Sequence, residues 1–181
     1  MSTGWRRGLL LSAVVAGVLS VAALLATGLG RDPAVVASPL VGRAAPAFEL
    51  AGLDGPAVRL SDLRGQVVVI NFWASWCAEC RVEQDALKTT WSRYRDSGVT
   101  VLGVNFQDTT SDARDYVGSL GIRYPIVQDT ESATALAYGL RGVPETFVVD
   151  RAGRITDRVI GPVSAQRLAD KINSLLQAGA R

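Results

Sequence analysis

The stretch "FWASWCAEC", Phe72–Cys80, contains both cysteines of the chain directly behind a tryptophan. It overlaps the end of "QVVVINFW", Gln66–Trp73, which is a near-continuous run of β-branched and aromatic residues. Such a run is typical of a strand that is buried on both faces of a sheet. We therefore expect the cysteine pair to follow immediately after a central strand.

A helix is predicted to begin at this pair. Leu87, Trp91 and Tyr94 recur at helical spacing, which predicts a helix from Ala78 to Asp96. At the start of such a helix, the free backbone N–H groups and the helix dipole would stabilise a thiolate at Cys77.

The second cysteine is placed for disulfide exchange. Cys80 lies one turn further on, close enough to close a small disulfide yet tucked into the helix. Trp76 would shield the sulfur while leaving one approach open. We expect Cys77 to attack a substrate disulfide and Cys80 to resolve the mixed disulfide that forms.

Three other interpretations of the pair remain open. A zinc site needs four ligands, and because the chain has no further cysteine and no histidine, only carboxylates would complete it. A purely structural disulfide would close so small a loop that it would constrain the unfolded chain little. The third alternative is two buried, inert thiols. Redox activity is the interpretation that the sequence context favours.

Composition narrows the class of protein. A chain of 181 residues with 48% hydrophobic content suits one domain plus an appendage. From Asp32 onward there are 16 basic and 17 acidic residues, so no basic surface for nucleic acid is indicated. The absence of histidine removes the commonest metal ligand and the commonest general base.

The N-terminal segment, residues 1–30, is predicted to be a membrane anchor or a signal segment. Residues 8–30 carry no charge and as a helix would reach roughly 34 Å, enough to cross the hydrocarbon core. Arg6 and Arg7 predict a cytoplasmic N-terminus. The alternative is a cleaved signal peptide, for which "VVA" ending at Ala37 offers a cleavage site. Both interpretations place the remainder outside the cytoplasm.

The rest of the chain predicts an α/β domain. Residues 31–45 are rich in Pro, Ala and Gly and are expected to form a linker, with the domain over residues 46–181. Alternating apolar residues around Asp54-Gly55 predict a hairpin, and "VTVLGVNF" predicts a second buried strand. A second hairpin and a helix opened by Ser164 close the chain. We expect a central mixed β-sheet with helices on both faces.

These motifs together resemble the thioredoxin superfamily, and most closely its membrane-tethered TlpA/ResA/CcmG (DsbE) branch. The resemblance rests on the W-C-x-x-C motif after a strand, on "GVPE" at Gly142–Glu145, on Glu83, and on an added stretch over residues 108–128. It spans residues 46 to 177. It implies a thioredoxin-like fold with an N-terminal hairpin and a central αβ insertion.

The resemblance also implies roles for individual residues. Pro144 would follow a cis peptide bond and face the cysteines, and Val143 would offer its backbone to an extended substrate segment. Glu83 would move a proton during exchange, because Asn71 occupies the position where thioredoxins often carry a buried acid. Glu83 as a solvated helix carboxylate is the alternative. Glu145 would pair with a polar group of the partner or line the groove, unless it is a plain strand-edge charge.

The two residues between the cysteines differ from those common in this branch of the family. Members of the branch commonly have a proline there, whereas this chain has Ala78-Glu79. Glu79 disfavours a thiolate, and Arg81 is the one cation nearby in sequence. A strong oxidant needs a greatly stabilised thiolate, so the direction indicated is reduction of the substrate.

The expected function is therefore an extracytoplasmic thiol-disulfide oxidoreductase that reduces protein disulfides and needs no cofactor. The resemblance implies apocytochrome c as substrate, in cytochrome c maturation, and a transmembrane thiol reductase of the CcdA/DsbD type as electron donor. It implies a single-pass protein of the bacterial cell membrane with its catalytic domain outside. The alternatives are a general disulfide reductase or an oxidant of exported proteins, and, among non-enzymes, an apoprotein-binding chaperone.

Overall fold

The N-terminal segment forms one helix, α1 (Thr3–Leu29). The computed structural model describes residues 3–29 and 39–178. Within these residues no helix is found that has both the length and the apolar character needed to cross a membrane. Residues 31–38, which include most of the expected linker and the cleavage site at Ala37, lie outside the described residues.

The remainder of the described chain is built on one mixed sheet of seven strands in the order β2-β1-β5-β4-β3-β6-β7. Strands β3, β4 and β5 are parallel to one another, and β3 pairs antiparallel with β6 on its other side. The strands are β1 (Glu49–Gly52), β2 (Val58–Arg59), β3 (Val67–Trp73), β4 (Val99–Phe106), β5 (Ile126–Asp129), β6 (Glu145–Val149) and β7 (Ile155–Ile160). The predictions of a mixed sheet and of two hairpins, β1–β2 and β6–β7, are confirmed.

Helices cover both faces of this sheet, as predicted. They are α2 (Ala78–Tyr94), α3 (Thr110–Leu120), α4 (Ala133–Ala137) and α5 (Ala165–Ala178), with 3-10 turns at Leu60–Leu63 and Arg95–Ser97. Helix α2 ends close to the predicted residue, and Gly98 follows it with φ 75°, a left-handed conformation that glycine adopts without steric cost. The predicted insertion corresponds to α3 and β5.

Strand β3 is completely buried because it has neighbours on both edges and helices on both faces. Val67, Val69 and Trp73 belong to the core on the side of α2, α3 and α5. Val68, Ile70 and Phe72 belong to the opposite core, together with Tyr138 after α4. This alternation follows from the two-residue period of a strand. It also directs Asn71 toward α2.

The core beside the cysteines is packed tightly around Trp73. Its ring stacks on Tyr116 of α3, with centroids 4.7 Å apart. Gly103 on β4 leaves room for this ring, because a Cβ there would lie 2.9 Å from the indole nitrogen of Trp73 and 2.5 Å from Cδ1 of Ile126. A glycine is therefore required at position 103 for close packing.

The chain joins the domain before residue 46, the expected boundary. The N–H of Gly42 donates to the carbonyl of Ile155 (2.8 Å), and the N–H of Ala45 donates to the carbonyl of Gly153 (2.9 Å). The guanidinium of Arg154 donates to the carbonyl of Gly42 (3.0 Å). The last residues of the expected linker thus form a clasp, residues 42–45, on the turn that leads into β7.

Candidate active site

The cysteine pair lies where β3 ends and α2 begins. Cys77 caps the helix in an extended conformation (φ −89°, ψ 111°), and its Sγ accepts a hydrogen bond from the N–H of Cys80 at 3.1 Å. The two cysteines form a disulfide. Cys77 is 5% exposed and Cys80 is fully buried, so an incoming thiol or disulfide reaches Cys77 first.

The segment before β6 lies at the same edge of the sheet. Strand β6 is antiparallel to β3, with Glu145 opposite Phe72, so its first residues are next to the end of β3. The Val143–Pro144 peptide bond is cis, as the resemblance implies. The carbonyl of Pro144 accepts from the N–H of Gly161 on the β7 side (2.9 Å). Pairing of the Val143 backbone with a substrate stays a prediction.

Glu145 does not line a groove, and that expectation is wrong. The residue is 1% exposed, and its Oε2 accepts hydrogen bonds from Nη2 (2.7 Å) and Nε (3.0 Å) of Arg158. Its Oε1 accepts from the N–H of Arg141 (2.9 Å), and Arg158 also donates to the carbonyl of Gly139 (2.9 Å). Because an unpaired buried carboxylate is very costly, this ion pair fixes the loop before Pro144 to β7.

Glu83 is buried close to the disulfide. It is 1% exposed, with Oε1 accepting from the amide of Asn71 (2.7 Å) and Oε2 accepting from the N–H of Val163 (2.9 Å). Burial raises the pKa of Glu83 to about 7, although both hydrogen bonds act in the opposite direction. The alternative of a solvated helix carboxylate is therefore wrong. The carboxyl of Glu83 therefore lies one helical turn from Cys80 and can exchange its proton near neutral pH.

Asn71 connects this carboxyl to the sheet. Its amide nitrogen donates both to Glu83 and to Oγ1 of Thr146 on β6, the latter at 3.0 Å. Its amide oxygen is buried without a partner within the described part of the chain. The strand position where thioredoxins often carry an acid thus holds an amide, and the neighbouring helix supplies the acid.

Trp76 is a large apolar side chain left on the surface beside Cys77. It is 61% exposed, and its indole N–H donates to the carbonyl of Gln107 at 2.9 Å. A ring that is fixed at one edge and otherwise exposed provides contact area for a partner polypeptide.

Comparison with known proteins agrees with this arrangement. Residues 41–158 match the AhpC/TSA family. The thiol:disulfide interchange protein HelX of Rhodobacter capsulatus is 40% identical over 153 residues, which cover 83% of this chain and 85% of HelX. The chain belongs to the AhpC/TSA family.

Two further similarities define its type. The thiol-disulfide oxidoreductase ResA of Bacillus anthracis is 27% identical over 128 residues, covering 71% of this chain and 74% of ResA. A crystal structure described as a thiol:disulfide interchange protein DsbE, from Chlorobium tepidum, superposes with a TM-score of 0.69 at 32% identity, covering 74% of this chain and 95% of that chain. This AhpC/TSA member is a thioredoxin-like thiol-disulfide oxidoreductase of the DsbE/ResA type.

Sequence reasoning missed a polar group beneath the disulfide. The buried side chain of Gln84 donates from Nε2 to the carbonyl of Cys80 (3.2 Å) and accepts from the hydroxyl of Tyr124 (2.6 Å). Burial raises the pKa of Tyr124 well above its ordinary value, so the hydroxyl stays protonated and acts as a donor. Tyr124 lies in the insertion, which thereby supports the first turns of α2.

Sequence reasoning also missed the loop that follows β4. Its Asp108 accepts hydrogen bonds from both the N–H and the hydroxyl of Ser75, two residues before Cys77. The signal was available, because β3 and β4 are neighbouring parallel strands whose carboxyl ends meet at one edge of a sheet. A polar residue directly after the second buried strand was therefore a candidate for contact with the cysteine turn.

Proposed function

We propose that this protein acts outside the cytoplasm as a reductant of protein disulfides. The observation that carries the proposal is the placement of the pair, with Cys77 at the surface end of α2 and Cys80 sealed beneath it. In the dithiol form, the thiolate of Cys77 attacks a substrate disulfide, which breaks one S–S bond and forms a mixed disulfide. Cys80 then attacks Cys77, closing the enzyme disulfide and releasing the substrate with two thiols.

Glu83 serves this cycle as the proton acceptor for Cys80. Cys80 loses its proton before it attacks, and Glu83 is a buried carboxyl one turn further along the same helix. A carboxyl with a pKa of about 7 is divided between its two protonation states at neutral pH, so it takes this proton and returns it with little driving force either way. Glu83 takes up the proton of Cys80 as the enzyme disulfide closes and returns a proton when the dithiol is restored.

The surroundings of Cys77 support the direction of electron flow. The neighbouring Glu79 is exposed, and the guanidinium of Arg81 lies over the ring of Tyr116, 5.0 Å from its centroid. Glu79 contributes negative charge beside the cysteines, and Arg81 has an aromatic ring as its partner. The reduction potential of the purified domain tests this point, and a value as oxidising as that of DsbA, about −120 mV, would contradict it.

The resemblance to the DsbE branch supports a specific substrate, the oxidised C-x-x-C-H site of apocytochrome c. Two-electron reduction of that site would make its thiols available for haem attachment. A transmembrane thiol reductase of the CcdA/DsbD type would then reduce Cys77–Cys80 again. Export rests on the N-terminal segment, with Arg6 and Arg7 ahead of its uncharged run. Fractionation of cells that express the tagged full chain tests the location.

Trapping identifies the substrate. A Cys80→Ser variant retains the attacking thiol and lacks the resolving one, so we expect mixed disulfides between Cys77 and substrates to accumulate. The matched control is Cys77→Ser, which leaves only the buried thiol and should trap far less. A double variant that still holds the same partners without either cysteine would contradict the redox function and indicate a chaperone.

A further inference from the structure

The turn that carries the exposed Trp76 is hydrogen-bonded to the loop that follows β4, residues 107–109. We propose that this loop is a positioning element, which sets the place of Trp76 and of the Ser75–Cys77 turn so that a protein substrate meets Cys77 correctly. The inference rests on the proposed function, because it concerns how the substrate is received. It assigns the loop no chemical step of its own.

Asp108 makes the first half of the connection. Its Oδ2 accepts from the backbone N–H of Ser75 (2.6 Å), and its Oδ1 accepts from the Ser75 hydroxyl (2.8 Å). Two hydrogen bonds to a carboxylate fix both the backbone and the side chain of one residue. Ser75 therefore cannot shift without breaking both bonds.

The carboxylate of Asp108 also accepts hydrogen bonds from the end of β4 and from its own loop. Asp108 Oδ2 accepts from the amide of Asn105 (2.9 Å), and Oδ1 accepts from the N–H of Thr109 (3.0 Å). Asn105 accepts from the amide of Gln128 on β5 (3.4 Å), and Gln128 accepts from the hydroxyl of Thr110 at the start of α3 (3.2 Å). The central insertion thus anchors the group that holds the turn.

Gln107 makes the second half of the connection between the loop and the turn. Its carbonyl accepts the indole N–H of Trp76 at 2.9 Å, and its φ is 46°. A residue other than glycine adopts this left-handed backbone region at an energetic cost. The conformation persists where surrounding contacts enforce it. Here the conformation directs the carbonyl toward the indole.

The two contacts act on consecutive residues just ahead of the reactive sulfur. Ser75 and Trp76 lie within the turn that is closed by the N–H of Cys77 donating to the carbonyl of Ala74 (3.2 Å). An indole that is exposed at 61% would otherwise sample several rotamers. With its N–H fixed, the ring presents one face beside Cys77, which lowers the ordering cost when a polypeptide binds there.

Asp108→Ala tests the proposal in the full chain, with two readouts. The first is hydrogen exchange of the Trp76 indole N–H by NMR, assigned with Trp76→Phe and referenced to the indole of Trp91. The second is the rate constant for single-turnover reduction of insulin disulfides by the dithiol form. We expect indole exchange to become roughly fivefold faster, the factor that one net hydrogen bond represents, and insulin reduction to slow by a similar factor.

Two further variants complete the experiment, one as a control and one with an intermediate effect. Asp150→Ala is the matched control, because its carboxylate also supports a turn, accepting from the N–H of Arg154 (2.8 Å), at the opposite end of β6. It should move neither readout. Asp108→Asn keeps one oxygen for Ser75 and should fall between Asp108→Ala and the native protein. If Asp108→Ala fails to fold, the Asn variant carries the test.

The outcomes are distinct. Unchanged Trp76 indole exchange in the Asp108 variants overturns the proposal, and so does faster exchange with an unchanged insulin rate. If the native protein reduces insulin too slowly to measure, a peptide with an oxidised C-x-x-C-H site replaces insulin in the assay, and the proposed function fails if neither is reduced. The indole measurement then decides separately whether the loop holds the turn.

Discussion

The amide of Asn71 donates a 2.7 Å hydrogen bond to the carboxyl of Glu83, joining the central strand to the helix that carries Cys80. An amide suits this place because it offers a donor to a carboxylate and, after rotation, an acceptor to a carboxylic acid. Its own oxygen has no partner among the described residues and is available for the second arrangement. The pair therefore accommodates Glu83 in both protonation states.

Replacing Glu83 by Gln should remove most of the pH dependence of stability in the oxidised protein between about pH 4.5 and 7. The folded-state pKa of about 7 lies above the ordinary value of 4.5, so the folded protein binds more protons in this window and loses stability as pH rises. The difference corresponds to about 3 kcal/mol. Denaturant unfolding at several pH values measures it.

The control for this experiment is Glu131→Gln, at an exposed carboxyl. It should keep the slope of the native protein. A Glu83→Gln protein whose stability still falls by the same amount between pH 5 and 8 would show that Glu83 is not the group responsible.

Asn71→Asp should steepen the same pH dependence. Two carboxyls at hydrogen-bonding distance cannot both ionise cheaply, so they share one proton and titrate as a pair. We expect a further loss of about 2 kcal/mol at pH 8 relative to pH 5. Asn173→Asp is the control, since its oxygen accepts from the hydroxyl of Tyr94 and an aspartate there can do the same. Parallel profiles for the two variants would argue against a coupled pair.

Arg158→Met should strongly destabilise the protein, by about 3–5 kcal/mol, because it leaves the buried carboxylate of Glu145 without its charge partner. Adding Glu145→Gln should recover part of the loss. The control is Arg59→Met, which breaks an ion pair between half-exposed side chains and should change little. Chemical denaturation measures all three proteins. Equal losses from Arg158→Met and Arg59→Met would contradict the importance of the buried pair.

Gly103→Ala should cost about 1–3 kcal/mol, because its Cβ would meet Trp73 and Ile126 in a filled core. Gly118→Ala is the opposite case, since Gly118 lies within α3 and a Cβ there has open space. It should gain about 0.5–1 kcal/mol from helix propensity. Melting temperatures of the two variants should move in opposite directions. A Gly103→Ala protein that melts at or above the native temperature would show that the core has room for a methyl group beside Trp73.

The elements nearest the cysteines were predictable because local pattern and chemistry agree there. The run over Gln66–Trp73 allowed only a buried strand, and the spacing of Leu87, Trp91 and Tyr94 allowed only a helix after it. The cis bond before Pro144 followed from the resemblance, which linked "GVPE" to the cysteine motif. No single window of sequence contains that relationship.

What the sequence did not predict depends on distant partners. Glu145 is buried because Arg158, thirteen residues away across a hairpin, is there to neutralise it. Asp108 contacts the cysteine turn because two parallel strands end side by side. The clasp over residues 42–45 resembles a linker in composition, since its backbone hydrogen bonds leave no pattern in the side chains.

The clasp also bears on how the domain behaves in concentrated solution. Strand β7 is the last strand of the sheet, and among the described residues no other strand pairs with its outer edge, whose N–H and C=O groups could pair with another extended chain. The clasp occupies the start of that edge, where the N–H of Ile155 donates to the carbonyl of Arg43 (2.9 Å). In a protein that begins at residue 46, these backbone groups would be exposed, and we expect such a protein to aggregate through strand pairing. The segment that resembles a linker in composition is therefore expected to protect the start of this sheet edge from pairing with a second molecule.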